Sequence, residues 1–122
     1  MNTTARMVAF SGALLALLAV ILGALGSHFI DKGEHQGLWD IASNIHLFNA
    51  AALIGLAALL LQVESAVLKW GARLIILGTV LFSGSIYLHV VSGYTVPGLT
   101  PLGGFLMMVG WFRVVLTFVR KS

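Results

Sequence analysis

The sequence predicts an all-α protein, a four-helix transmembrane bundle with both termini on the cytoplasmic side. Three observations lead there. Hydrophobic residues make up 59% of the 122-residue chain and charged residues 9%, against roughly half and a quarter in an average soluble domain. A small soluble domain buries only about two-thirds of the surface its unfolded chain exposes, so this much apolar surface calls for lipid as solvent. The apolar residues form four continuous runs of helical spanning length, not the short alternating segments of a barrel. The basic residues between those runs and at their ends gather on one side.

The spans are expected at about residues 7–27, 41–62, 71–91 and 100–119, within a single transmembrane domain covering 1–122. Each is about 20 residues, enough for a hydrocarbon core of about 30 Å at about 1.5 Å per residue. The first run follows Arg6 and ends near Ala24-Leu25-Gly26, a passable cleavage site. Its length marks it as a membrane helix and not a signal peptide. The breaks carry loop chemistry: Asp31, Lys32, Gly33, Glu34 and Asp40 in the first, Glu64, Ser65 and Lys69 in the second, Gly93, Pro97 and Gly98 in the third. Thr100-Pro101 reads as an N-cap followed by proline at the first helical position.

If the spans alternate, Arg6, Lys69, Arg73, Arg120 and Lys121 share one side and only Lys32 takes the other. That places both termini and the second loop on the cytoplasmic side of the membrane. The net charge of +3 and the lack of a basic stripe interleaved with aromatics exclude a nucleic-acid binder. The chain has no cysteine, which removes disulfides, thiolate metal sites and cysteine nucleophiles.

Little hydrophobic force drives helices together in lipid, so small residues that permit close approach become the packing signal. Gly12, Ala16, Ala19, Gly23 and Gly26 form one stripe on the first span. Gly71, Gly78, Ser85 and Ser92 recur every seventh residue on the third, and Gly103, Gly110 and Thr117 do so on the fourth. Ala51, Gly55 and Ala58 make a shorter series on the second. Such seams predict a tight bundle, and some of them could join protomers in a homo-oligomer or a larger membrane complex.

Several motifs resemble those of DUF423, a family of small bacterial membrane proteins. Gly23-Ala24-Leu25-Gly26-Ser27-His28 is similar to its G-A-F-G-A-H signature. Phe82-Ser83-Gly84-Ser85-Ile86-Tyr87 resembles its F-S-G-S-L-Y motif. Thr100-Pro101-Leu102-Gly103-Gly104 with Gly110-Trp111 resembles its T-P-L-G-G…G-W ending. One segment departs. Ile45-His46-Leu47-Phe48-Asn49-Ala50 corresponds to Y-x-x-[FY]-H-A-L, so Asn49 stands where that segment's histidine is expected. The resemblance implies a fold and an inner-membrane location, and assigns no activity.

The polar residues within the spans are the candidates for chemistry. His28, His46 and His89 lie toward the outer surface, and His46, Asn49, Ser83, Ser85, Tyr87 and His89 could face the interior as one polar cluster, because lipid offers such groups no partner. Interhelical hydrogen bonding is one reading of that cluster. A second is a proton or metal site on neutral imidazoles, with His28, Asp31 and His35 aligned if their loop is helical. A third is a b-type haem between His46 and His89, although close-packed helices leave a flat cofactor little room. No cofactor is expected otherwise. Arg113 lies about 18 Å below the outer surface at about 1.5 Å per residue. It either snorkels to inner-leaflet phosphates or pairs with Glu64. No catalytic constellation is present: there is no phosphate loop, no metalloprotease motif and no carboxylate within a span. The sequence therefore predicts a non-enzymatic interaction or accessory subunit, with a small transporter or channel-like protein as the alternative.

Overall fold

The structure is a computed structural model that describes residues 2–30 and 33–119, the Glu34 side chain excepted. It consists of four helices: α1 (Thr3–Phe29), α2 (Glu34–Gln62), α3 (Ala66–Ser92) and α4 (Leu99–Val119). All four are long and apolar enough to cross a membrane, and no strand occurs among the described residues.

Local chemistry sets the ends. The Asn2 side chain caps α1 by accepting from Ala5 N at 2.7 Å, while its Nδ2 donates to the Leu60 carbonyl at 3.3 Å. One side chain thus ties the start of α1 to the end of α2. Ser65 caps α3 through Leu68 N. Gly93 closes α3 at φ 77°, a left-handed conformation that costs glycine nothing and other residues a Cβ clash.

Two boundaries differ from expectation. Helix α2 begins at Glu34, so most of the loop expected between the first two spans is helical. Its first turns are held by Trp39, which is buried, lies against Gly26 and donates to the Leu22 carbonyl at 2.8 Å. Helix α4 begins at Leu99, so Thr100 is not its N-cap. The Thr100 hydroxyl instead bonds Ser85 on α3. Pro101 still lies in the first turn, where its missing N–H costs nothing.

The helices form two antiparallel hairpins, α1–α2 and α3–α4, joined along α2 and α3. No Cα of α4 lies within 8 Å of a Cα of α1 or α2 among the described residues. The α3–α4 seam is the closest. A Cβ on Gly78 would lie 2.7 Å from the Gly103 carbonyl oxygen, and one on Gly110 would lie 2.8 Å from that of Gly71. The seven-residue repeats on the two helices thus meet glycine to glycine in antiparallel register, which allows backbone to touch backbone.

On α1 the buried stripe is Ala5, Val8, Gly12, Leu15, Ala19 and Gly26, a three-and-four alternation of the kind that packs in left-handed pairs. A Cβ on Gly12 would meet the Ala50 carbonyl and Leu53 Cβ, each at 3.0 Å. Ala16 is half-buried at the edge of this core. Gly23 corrects the expected seam, because nothing lies within 4 Å of where its Cβ would be. It falls outside the three-and-four alternation that keeps facing α2. The second-span series is also turned outward: Ala51, Gly55 and Ala58 are all exposed. The inward positions of α2 are taken by Trp39, Ala42, His46, Asn49, Leu53, Leu56 and Leu60.

Candidate functional site: polar groups between the helices

The polar residues of α2 and α3 do not form one cluster. They divide into separate groups that serve different helix pairs.

The first group centres on His46, which is buried. Its Nδ1 lies 2.9 Å from the Tyr87 hydroxyl of α3. The Tyr87 ring in turn packs 4.7 Å, centroid to centroid, from Trp39. Trp39 binds the backbone of α1, so this aromatic chain links three helices. Among the described residues, two buried atoms here have no hydrogen-bond partner: His46 Nε2, with the Leu15 backbone beside the imidazole, and Ser43 Oγ, which also faces Tyr87.

The second group centres on Asn49, three residues along α2 and therefore turned toward α4. Its Nδ2 donates to Thr79 Oγ1 and lies 3.0 Å from Met107 Sδ, while Oδ1 accepts from Trp111 Nε1 at 3.0 Å. Thr79 donates onward to the Ile75 carbonyl at 2.7 Å. A single amide thereby joins α2, α3 and α4 with both its ends used. Ser83 sits between the two groups and donates to the Ala42 carbonyl at 2.9 Å.

A third group lies at the end of the bundle away from the termini. Ser85 bonds Thr100 and the Phe82 carbonyl. His89 Nδ1 lies 2.8 Å from Thr95 Oγ1 in the α3–α4 loop. A cavity of about 230 Å³ beside them is lined by Leu38, Ser85, His89, Thr95 and Thr100. His46 lines a different cavity of about 170 Å³, between α1 and α3. The third reading, a haem between His46 and His89, finds no support, since the two imidazoles line separate cavities.

Two further expectations, on His28 and on Glu64, are corrected. His28 is exposed beside Phe29 at the end of α1 and does not join the polar groups. Asp31, whose spacing placed it with His28 and His35, lies outside the described residues. Glu64 lies in the loop expected for it, and Lys69, not Arg113, is its partner. Its side chain is 86% exposed in the α2–α3 loop and pairs with Lys69 at 2.7 Å, whose hydrogen bond and charge hold the Glu64 carboxyl below the usual glutamate range. The Arg113 Nε donates to the Val67 carbonyl at 3.2 Å, toward the end that carries Arg6, Lys69 and Arg73. Arg73 itself lies over the Trp70 ring at 4.8 Å.

Two residues not singled out beforehand, Thr79 and Thr95, prove central, and so does Trp111, noted beforehand only within the G-W ending and not as a site candidate. Thr79 was accessible to sequence reasoning, since it precedes Ser83 by one turn on the same face. Thr95 was not, because loop conformation alone brings it to His89. Among the described residues, no three His, Cys, Asp or Glu side chains converge on one point.

A family profile described as "Protein of unknown function (DUF423)" matches residues 22–104. The chain is 32% identical over 114 residues to the UPF0382 membrane protein YwdK of Bacillus subtilis, covering 89% of this chain and 93% of that one. It is 30% identical over 121 residues to the UPF0382 inner membrane protein YgdD of Escherichia coli, covering 96% and 92% respectively. A UPF0382 membrane protein of Staphylococcus aureus is 31% identical over 109 residues, covering 86% and 88%. No solved structure matches. With its glycine seams and its F-S-G-S-I-Y segment set in a four-helix membrane bundle, this chain belongs to the DUF423 family.

Proposed function

We propose that the protein is a non-enzymatic accessory subunit of the bacterial inner membrane that acts through helix packing, with another copy of itself or within a larger membrane complex. The observation that carries this reading is the exposed stripe of Ala51, Gly55 and Ala58 on α2. The glycine seams of α3 and α4 are used within the chain, against each other. This one presents small residues to lipid, where a second transmembrane helix could approach as closely as α4 approaches α3. The orientation that accompanies it has both termini and Lys69 in the cytoplasm, supported by the basic residues at that end and by the direction of Arg113.

The chain has no native cysteine, so Gly55→Cys introduces a single reporter. Oxidation in native membranes is expected to cross-link it to a neighbour, whereas Leu17→Cys on the exposed face of α1 stays uncross-linked. Mass then separates a homodimer from a complex with another subunit. Gly55→Leu should abolish the association without unfolding the chain, because nothing lies within 4 Å of that Cβ position. A monomer that never cross-links through Gly55 would end the proposal.

A transporter or channel-like role is the second reading. It draws on the unpaired Nε2 of His46 and on the cavity under His89. Uptake measurements in proteoliposomes, compared with His46→Ala, would separate it from the first.

A further inference from the structure

His35 and His89 meet at the end of the bundle away from the termini, and neither belongs to the packed core. His35 is in the first turn of α2 and exposed. His89 is in the last turn of α3 and half-buried. Their ring centroids are 6.3 Å apart and their planes stand at 89°.

We propose that His35 and His89 form a two-imidazole site for a borderline divalent transition metal of the zinc class, bridging α2 and α3. Three features support it. The first is spacing. Imidazole nitrogens each about 2.1 Å from a tetrahedral ion place their ring centroids roughly 5–5.5 Å apart, so the 6.3 Å separation closes on a shared ion with a shift of about 1 Å, which the exposed His35 side chain is free to make. The second is orientation. The Nδ1 of His89 is engaged by Thr95 Oγ1 at 2.8 Å, which leaves Nε2 as the nitrogen free to ligate. Metal-binding histidines are characteristically held in this way, by a partner on the other ring nitrogen that sets tautomer and ring angle. The third is room. A cavity of about 230 Å³ on the His89 side of the pair, lined by Ser85, Thr95 and Thr100 together with the apolar Leu38, Ile86 and Val96, leaves space for the waters that complete the coordination shell.

The ligand type selects the metal. Imidazole suits Zn²⁺, Cu²⁺, Ni²⁺ and Co²⁺, whereas Mg²⁺ and Ca²⁺ prefer oxygen donors. The consequence is mechanical. A bound ion would staple the start of α2 to the end of α3. The inference is independent of the packing role proposed for Ala51, Gly55 and Ala58, which lie on a different face of α2.

The test uses the full chain in nanodiscs, without a polyhistidine tag, titrated with ZnCl₂ and followed by calorimetry and thermal melting. Saturable binding of one ion per chain is expected, with a rise in Tm that EDTA reverses and MgCl₂ does not reproduce. His35→Ala and His89→Ala should each weaken binding at least about tenfold, and Thr95→Val, which keeps both imidazoles, about tenfold. His28→Ala should leave binding unchanged. Melting without zinc establishes that each variant is folded; His35 is exposed, so His35→Ala serves even if His89→Ala does not fold. The site is refuted if the parent chain shows no zinc response, if His35→Ala binds as the parent does, or if His28→Ala alone removes binding.

Discussion

Trp111 of α4 donates its indole N–H to Asn49 Oδ1 of α2 at 3.0 Å, although no Cα atoms of those two helices lie within 8 Å of each other among the described residues. The gap is crossed by side chains, and Asn49 carries the polar part of the crossing. Removing its amide leaves the indole N–H of Trp111 without its acceptor and takes from Thr79 its donor, while the Thr79 hydroxyl keeps its bond to the Ile75 carbonyl. Asn49→Leu is expected to destabilise the bundle by about 1–3 kcal/mol, read as a lower Tm in detergent. Asn49→His should cost less, because an imidazole N–H can still reach Thr79. Equal losses for the two substitutions would show that the hydrogen bonds contribute little.

Glycines of the same type should respond in opposite ways. A side chain at Gly78 meets the backbone of α4 at 2.7 Å, whereas one at Gly23 meets nothing within 4 Å. Gly78→Leu is expected to cost more than about 3 kcal/mol, beyond ordinary overpacking because backbone cannot yield as side chains do. Gly23→Leu should change Tm by less than about 0.5 kcal/mol equivalent. Parallel melts of the two variants decide the matter.

Topology is open to direct labelling in a chain without native cysteine. Cysteines introduced at Ser65 and Gly33 should react with a membrane-impermeant maleimide from opposite sides, Gly33→Cys from the periplasm. Periplasmic labelling of both would overturn the proposed orientation.

The Glu64–Lys69 pair offers a pH test. Because Lys69 lowers the folded-state pKa of Glu64, its contribution is present above the ordinary glutamate pKa and is lost as pH falls through the lowered value. Glu64→Gln should therefore flatten the acid limb of the stability curve slightly, by the small amount that exposed pairs give. Glu64→Gln and Arg113→Ala should be additive, since the two residues share no partner.

Class and span number were legible in the residues because they depend on solvent chemistry. Four apolar runs of spanning length have one stable form in lipid, and that holds whatever the runs contact. The heptad glycines of α3 and α4 were legible for a related reason: a repeat of seven keeps one face toward a neighbour over the whole length of a helix. Which neighbour, and which small residues lie off the seam, depended on the pairing of helices. Gly23 and Gly12 look alike along the chain, yet only Gly12 faces α2. Gly55 resembles Gly78, yet α4 packs on α3 and leaves Gly55 bare. The polar groups were set later still, by rotations of about 100° per residue that turn His46 and Asn49 toward different partners. Thr95 reached His89 only through the path of a loop, for which helical spacing holds no information.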